Sequence, residues 1–403
     1  MPSLPRTAGA VLPVLLLTAA ALVPACSAQG GQRPPSAAER TSSMATGPDA
    51  ASPSTAGSPS PTDRTAGLDS RQLAGRRIVY SYPGPTPSPT VLRAIREGRA
   101  AGVILFGENV LSPEQLKSAV GELRQAAAEA PDPRPLLLLT DQEGGQVRRL
   151  PGAPVLSARR TGASADPVGE AARSGAGAAR TVADAGLNVN LAPVLDVYDA
   201  PDNFIDHRER SYGQDPAYVA RLGSAFLTAQ QDLGVAATAK HFPGLGSAPG
   251  GLDTDEGPVT LPVPLADLRA RGEEPYRAAI AAGVRLVMAS WAVYPALDPD
   301  RPAGFSPAVV QGELRDRLGF RGVTVTDALE AGALAPYGDT GARALASAGA
   351  GMDLLLCSAR DAEQGEAAAT ALATALDAGG LDRTAFLESV RRIDALRDSV
   401  GGG

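Results

Sequence analysis

A chain of 403 residues, 44% of them hydrophobic, can bury one large core or two medium ones. Its formal net charge of −7 and its lack of a Lys/Arg run argue against a nucleic-acid partner, which would need a clustered basic face. Two cysteines, Cys26 and Cys357, are too few for a disulfide framework, and with only His207 and His241 a histidine-rich zinc site is out of reach.

Residues 1–25 read as a targeting segment. Arg6 gives a weakly basic start, and the apolar run Val11–Val23 is too short to span a bilayer comfortably. The run ends in Val23-Pro24-Ala25-Cys26, which resembles a bacterial lipoprotein signal. Cleavage before Cys26 and a lipid on its thiol would anchor the chain to the cell membrane. A plain secretory signal cut at another small residue is the alternative. Both readings put the mature protein outside the cytoplasm. Residues 26–67 are Ser, Thr, Pro, Gly and Ala with scattered charge. They bury too little apolar surface to offset chain entropy, so a disordered tether is expected.

Residues 68–403 change character. Eight short apolar runs recur: Ile78–Tyr82, Gly102–Phe106, Leu136–Thr140, Val189–Ala192, Ala236–Ala239, Val284–Ala289, Val323–Thr326 and Met352–Leu356. Each is nearly continuous in apolar residues, as a parallel strand buried on both faces requires. Amphipathic stretches such as Pro113–Glu129, Pro216–Leu233 and Pro307–Leu318 lie between them, several opening with Ser-Pro or Asp-Pro. Strand and helix alternating eight times predict an α/β fold, a closed (β/α)8 barrel. An open doubly wound sheet would need a Gly-rich phosphate turn after its first strand. Pro83-Gly-Pro-Thr-Pro87 is not one.

In a barrel the catalytic face is built from residues following each strand. Here these are Asp141-Gln142-Glu143, Asn190 and Asp196, Lys240 and His241, Trp291, Asp327, and Cys357 with Ser358. Carboxylates, a Lys-His pair and one indole suit a sugar: carboxylates accept from hydroxyls, and the indole can stack on a ring. Two carboxyl groups can divide glycosidic cleavage, one at the anomeric carbon and one at the leaving oxygen. A divalent cation is the competing use of such a cluster.

Asp141-Gln-Glu-Gly-Gly-Gln-Val-Arg-Arg149, Lys240-His-Phe-Pro-Gly244 and Gly319-Phe-Arg-Gly-Val-Thr-Val-Thr-Asp327 resemble glycoside hydrolase family 3, in its β-N-acetylhexosaminidase branch. Leu191-Ala-Pro-Val-Leu-Asp196, Arg210-Ser-Tyr-Gly213 and Tyr294-Pro-Ala-Leu-Asp-Pro299 are similar too. The resemblance implies a retaining hydrolase that cleaves terminal N-acetyl-amino sugars from peptidoglycan fragments or chitooligosaccharides, as a monomer and without a cofactor or metal. It implies Asp327 as nucleophile. It also implies that Asp141, Arg149, Arg210, Lys240 and His241 hold the sugar.

The loop after Lys240 departs from the family. That branch carries Asp-Ser-His with the histidine as acid/base, whereas this chain reads Asp253-Thr254-Asp255-Glu256, and Leu245 stands where another histidine is usual. Several readings stay open. Asp255, poised by Asp253, or else Glu256, can act as the acid if a neighbouring carboxylate raises its pKa. Turnover can be lost with sugar binding retained, leaving a carbohydrate-binding lipoprotein. The loop can hold a cation, or be a solvated turn. Trp291 and Gln146 occupy positions where relatives often carry His and Arg. His207 reads as a surface residue and Cys357 as a buried apolar one.

Overall fold

The computed structural model describes Thr65, residues 67–201 and residues 203–400. The expected leader, Cys26 and all of the expected tether save Thr65 and Gly67 lie outside the described residues.

Eight parallel strands close on themselves: β1 (Ile78–Tyr80), β2 (Gly102–Ile104), β3 (Leu137–Thr140), β4 (Val189–Asn190), β5 (Ala236–Phe242), β6 (Leu286–Ala289), β7 (Val323–Ala328) and β8 (Leu354–Leu356). They pair in chain order. Closure comes from β1, where Val79 registers with Gly102 of β2 on one side and with Leu356 of β8 on the other. Each expected run falls on a strand, and β5 and β7 extend past theirs, to Phe242 and Ala328. Residues alternate between two packing environments. Val79, Leu137, Leu139, Val189, Leu286, Met288, Val323, Val325, Leu354 and Leu356 share one buried cluster drawn from around the barrel. Ile78, Tyr80, Leu136 and Leu138 pack instead with the surrounding helices.

The helices begin where the sequence puts a capping side chain before a proline. Ser88, Ser112, Asp166 and Asp215 each accept a hydrogen bond from a backbone N–H in the first turn, with Pro89, Pro113, Pro167 and Pro216 following. The expected helices appear as Pro113–Ala128 and Pro216–Gln231, while the third runs Ala308–Arg317 as a π-helix. No helix among the described residues is long and apolar enough to cross a membrane.

The strands' N-terminal end is closed by the helix Arg383–Val400. Its Ile393 and Leu396 join the interior cluster. Asp353, fully buried just before β8, accepts from Arg315 (2.6 Å), Arg392 (2.8 Å) and the Thr324 backbone N–H (2.9 Å). Arg77, just before β1, donates its Nε–H to the Asp353 carbonyl at 3.0 Å. Burial would raise the Asp353 carboxyl, but the guanidinium groups of Arg315 and Arg392 hold it below the ordinary value. Asp353→Ala strands two guanidiniums without their carboxylate and is expected to cost about 3–5 kcal/mol in denaturant unfolding. A loss below about 1 kcal/mol would show that this floor does not hold the barrel together.

Candidate functional site

The C-terminal ends of the strands surround a cleft of ≈ 340 Å³. Strand β5 runs on through Lys240 and His241 to Phe242, so these residues lie inside the strand rather than after it. Pairing continues there because backbone on both sides keeps partnering it. Lys240 N–H donates to Pro193 O (3.3 Å), Leu195 N–H to Lys240 O (2.7 Å), and Ser290 N–H to Phe242 O (2.8 Å).

After β3 the chain turns back on itself as a short ribbon, Gln142–Gly144 against Val147–Arg148. Gly144 (φ 116°) and Gly145 (φ 56°) form the turn in backbone conformations that residues with a Cβ rarely adopt. Gln142, fully buried, fixes the ribbon's shape. Its amide donates to the carbonyls of Leu150 and Ala153, and its oxygen accepts from the N–H groups of Arg149 and Leu150.

The ribbon delivers Asp141 and Glu143 to Lys240. The ammonium lies 2.7 Å from each carboxylate. Arg210 pairs with Glu143 through two bonds of 3.0 and 2.9 Å. Burial would raise the Glu143 carboxyl, but Arg210 and Lys240 hold it far below the usual carboxylate range. Burial would lower Lys240, and Asp141 and Glu143 reverse this and keep it above its ordinary value. Lys240 therefore stays charged although its side chain is 3% exposed.

His241 is aimed by Asp196, which is fully buried after β4. Its Nδ1 lies 2.8 Å from Asp196 Oδ2, and Asp196 Oδ1 accepts from the N–H of Leu245 at 2.7 Å. The neutral tautomer compatible with this contact carries its proton on Nδ1. Nε2 then faces Arg210 Nη2 at 3.4 Å.

Asp327, near the end of β7, lines the same cleft, and its Oδ1 accepts from the Ala328 N–H at 2.8 Å. The acidic loop is tied beside it. Gly332 N–H donates to Asp255 O (2.9 Å) and Ala333 N–H to Thr254 O (3.0 Å). Gly332 suits this junction because a Cβ there would lie 2.4 Å from Glu256 O. Thr254 and Asp255 line the cleft. Asp255 keeps solvent access at its mouth. The protein around its carboxyl, then the carboxylates of Asp327 and Asp253, nonetheless push it up to about 6, against the opposing pull of His241 and Arg210. Asp253 stands behind Asp255. It accepts the Asp255 N–H at 2.8 Å, and Arg208 lies 3.8 Å away. Glu256 is exposed and does not line the cleft.

The structure thus brings Asp141, Arg149, Arg210, Lys240, His241, Asp255 and Asp327 to one cleft. The stacking role expected of Trp291 is corrected. Its side chain is buried, with Nε1 donating to the Ala328 carbonyl at 2.8 Å and the ring packed on Phe305. It supports the end of β7, while Phe106 and Phe204 supply the aromatic surface of the cleft. His207 is exposed and Cys357 buried, as expected. Sequence reasoning noted Glu143 and Asp196 at strand ends but gave them no part in the site. The signal for both was a carboxylate following an apolar run, the same signal that singled out Asp141. Among the described residues no group of three or more His, Cys, Asp and Glu is placed to hold a metal ion.

The family model for the glycosyl hydrolase family 3 N-terminal domain matches residues 73–396. The chain belongs to glycosyl hydrolase family 3. It is a glycosidase of that family, and its relatives include enzymes named for amino sugars. An uncharacterized secreted glycosyl hydrolase of Arthroderma benhamiae is 45% identical over 333 residues, 83% of this chain and 94% of the relative. A beta-hexosaminidase of Stenotrophomonas maltophilia is 35% identical over 269 residues, 65% of this chain and 77% of the relative. The solved structure of a family 3 beta-N-acetylglucosaminidase from Paenibacillus sp. superposes with a TM-score of 0.78 at 36% identity. It covers 83% of this chain and 64% of that longer one.

The buried cation network makes its own prediction. The Glu143 pKa is depressed on folding, so its stabilising contribution is present above its unfolded value near 4.5 and is lost as pH falls below that. Glu143→Gln should therefore destabilise the protein by about 3 kcal/mol or more at neutral pH. Its unfolding free energy should also decline less than wild type between about pH 4.5 and pH 3. Parallel stability–pH curves for the two proteins would rule this out.

Proposed function

We propose that this family 3 glycosidase is a retaining β-N-acetylhexosaminidase in which Asp327 is the nucleophile and Asp255 the general acid/base. Asp327 attacks the anomeric carbon while Asp255 gives its proton to the departing glycosidic oxygen. Asp255 then takes a proton from the water that releases the sugar from Asp327. Asp141, Lys240, Arg210, Arg149 and His241 hold the terminal sugar. Asp253 orients Asp255 through its backbone. The observation that carries this reading is the pair itself: one cleft holds the strand-end carboxylate of Asp327 and, on a tethered loop, a second carboxyl pushed up to about 6. The position of Asp255 in the cleft favours it over Glu256.

The substrate class is a glycan ending in an N-acetyl-amino sugar, such as a peptidoglycan fragment or a chitooligosaccharide. The printed names of the Stenotrophomonas and Paenibacillus relatives support it. The mature chain is placed outside the cytoplasm on a lipid at Cys26. Support comes from the apolar run ending in Val23-Pro24-Ala25-Cys26 and from the secreted Arthroderma relative. Cys26→Ala should move the protein from the membrane fraction to the medium or the soluble extracytoplasmic fraction. An unchanged membrane fraction would remove the anchor from this reading.

The chemistry is tested by release of nitrophenol from an aryl N-acetyl-β-glucosaminide. Asp327→Ala should lower kcat on the order of 10³-fold or more. Equal inactivity of wild type and Asp327→Ala, with sugar still bound, would instead establish a binding protein. Because the acid must hold its proton, kcat/KM should fall as pH rises through about 6. Asp255→Asn should abolish that limb, and should harm a disaccharide far more than a nitrophenyl glycoside, whose leaving group needs little protonation. If Asp255→Asn leaves activity intact and Glu256→Gln removes it, Glu256 is the acid.

A further inference from the structure

The floor of the barrel, at the N-terminal ends of the strands, holds more positive charge than it neutralises. Arg77 and Arg315 are buried and Arg392 is partly open. All three gather at one buried residue, Asp353. Arg315 and Arg392 pair with its carboxylate, while Arg77 reaches only its carbonyl. Arg77 also donates to the Met352 carbonyl and lies 4.3 Å from the centroid of the Phe386 ring, and among the described residues no carboxylate pairs with it. One negative charge thus serves three positive ones. Burial pulls Arg77 down to about 10, helped by Arg392 and opposed by Asp353, and burial likewise holds Arg315 below its ordinary value. Buried charge short of a counter-ion is costly unless something else supplies one.

These guanidiniums open onto a cavity of ≈ 430 Å³, a size that suits a small molecule. Arg77, Arg315 and Arg392 line it and Asp353 does not, so the cavity meets the cations and not their counter-ion. Arg315 spends its Nη atoms on Asp353, Thr324 and two carbonyls, and brings charge alone. Arg77 and Arg392 each spend Nε and Nη2 and leave Nη1 over. Arg321, exposed on the same wall, makes no ion pair among the described residues. The carboxylates on the wall, Asp316, Asp382 and Glu388, are all exposed to water, and Asp382 is engaged in accepting the Ala385 N–H at 2.7 Å. Leu381 and Phe386 add apolar surface.

We infer that this cavity binds a phosphate monoester, whose oxygens are taken by Arg77, Arg392 and Arg321 and whose organic part lies against Leu381 and Phe386. The three buried guanidiniums and Asp353 leave two positive charges over, and a phosphate monoester is close to a dianion at neutral pH. Three donors from separate side chains match its three free oxygens, where a carboxylate offers two. The site lies at the opposite ends of the strands from the cleft, so it stands whether or not the hydrolase reading does. A free phosphate ester and the headgroup of phosphatidic acid present the same chemistry.

The test titrates glycerol 3-phosphate into the full chain by calorimetry, with chloride holding the ionic strength constant and inorganic phosphate as competitor. One saturable site is expected. Arg321→Glu reverses an exposed, unpaired charge and should weaken binding about tenfold or more. Glu388→Gln removes a carboxylate from the same wall and should tighten it about twofold. Both positions are exposed, so both variants should keep the wild-type circular dichroism spectrum and melting temperature. A second arm sediments the chain with phosphatidylcholine vesicles, with and without phosphatidic acid. Extra retention on phosphatidic acid that Arg321→Glu removes assigns the phosphate to a lipid headgroup, and glycerol 3-phosphate binding without that retention assigns it to a free ester. No saturable binding in either arm, or binding that Arg321→Glu leaves unchanged, overturns the site.

Discussion

One ammonium group organises this cleft. Lys240 Nζ sits 2.7 Å from both Asp141 and Glu143, nearly out of reach of water. A lone charge there would cost far more than the fold can supply, so the two carboxylates are a condition of burying it. Meeting that condition draws the ribbon after β3 across the barrel mouth to β5 and leaves Arg210 the second cation on Glu143. Arg210 in turn faces His241, which Asp196 holds from behind. This side of the cleft is one continuous electrostatic network.

The opposite side of the cleft is built differently. Asp255 comes from a loop, not a strand, and backbone hydrogen bonds from Gly332 and Ala333 hold that loop beside the segment after β7. The same tie brings Asp255 within electrostatic reach of Asp327, whose charge adds to the surrounding protein in raising the Asp255 carboxyl. A histidine acid needs an adjacent carboxylate to raise its basicity. A carboxylic acid needs the opposite, a poorly solvated place near other negative charge. At the cleft mouth Asp255 has that nearby negative charge, from Asp327 and Asp253.

The barrel was legible because a parallel strand buried on both faces has no choice but an apolar run, and eight such runs separated by capped helices admit few other closures. The strand-end rule then found Asp141, Lys240, His241 and Asp327 from position alone. It failed for Trp291. An indole is large enough either to face a ligand or to prop a strand end, and only the packing of Phe305 and Gly304 against it decides. It placed Glu143 and Asp196 at strand ends but gave them no role, because theirs lies in contacts made with residues far along the chain.

What the sequence determined by itself was the order of strands and the kinds of groups at their ends, because burial and hydrogen bonding write both into local pattern. The tertiary structure decided which of those groups meet. The pairing of Lys240 with two acids about a hundred residues earlier and the docking of the acidic loop on Gly332 both depend on how a closed barrel brings distant strand ends to one rim. Distances across that rim are set by strand register and tilt, which no local stretch of sequence encodes.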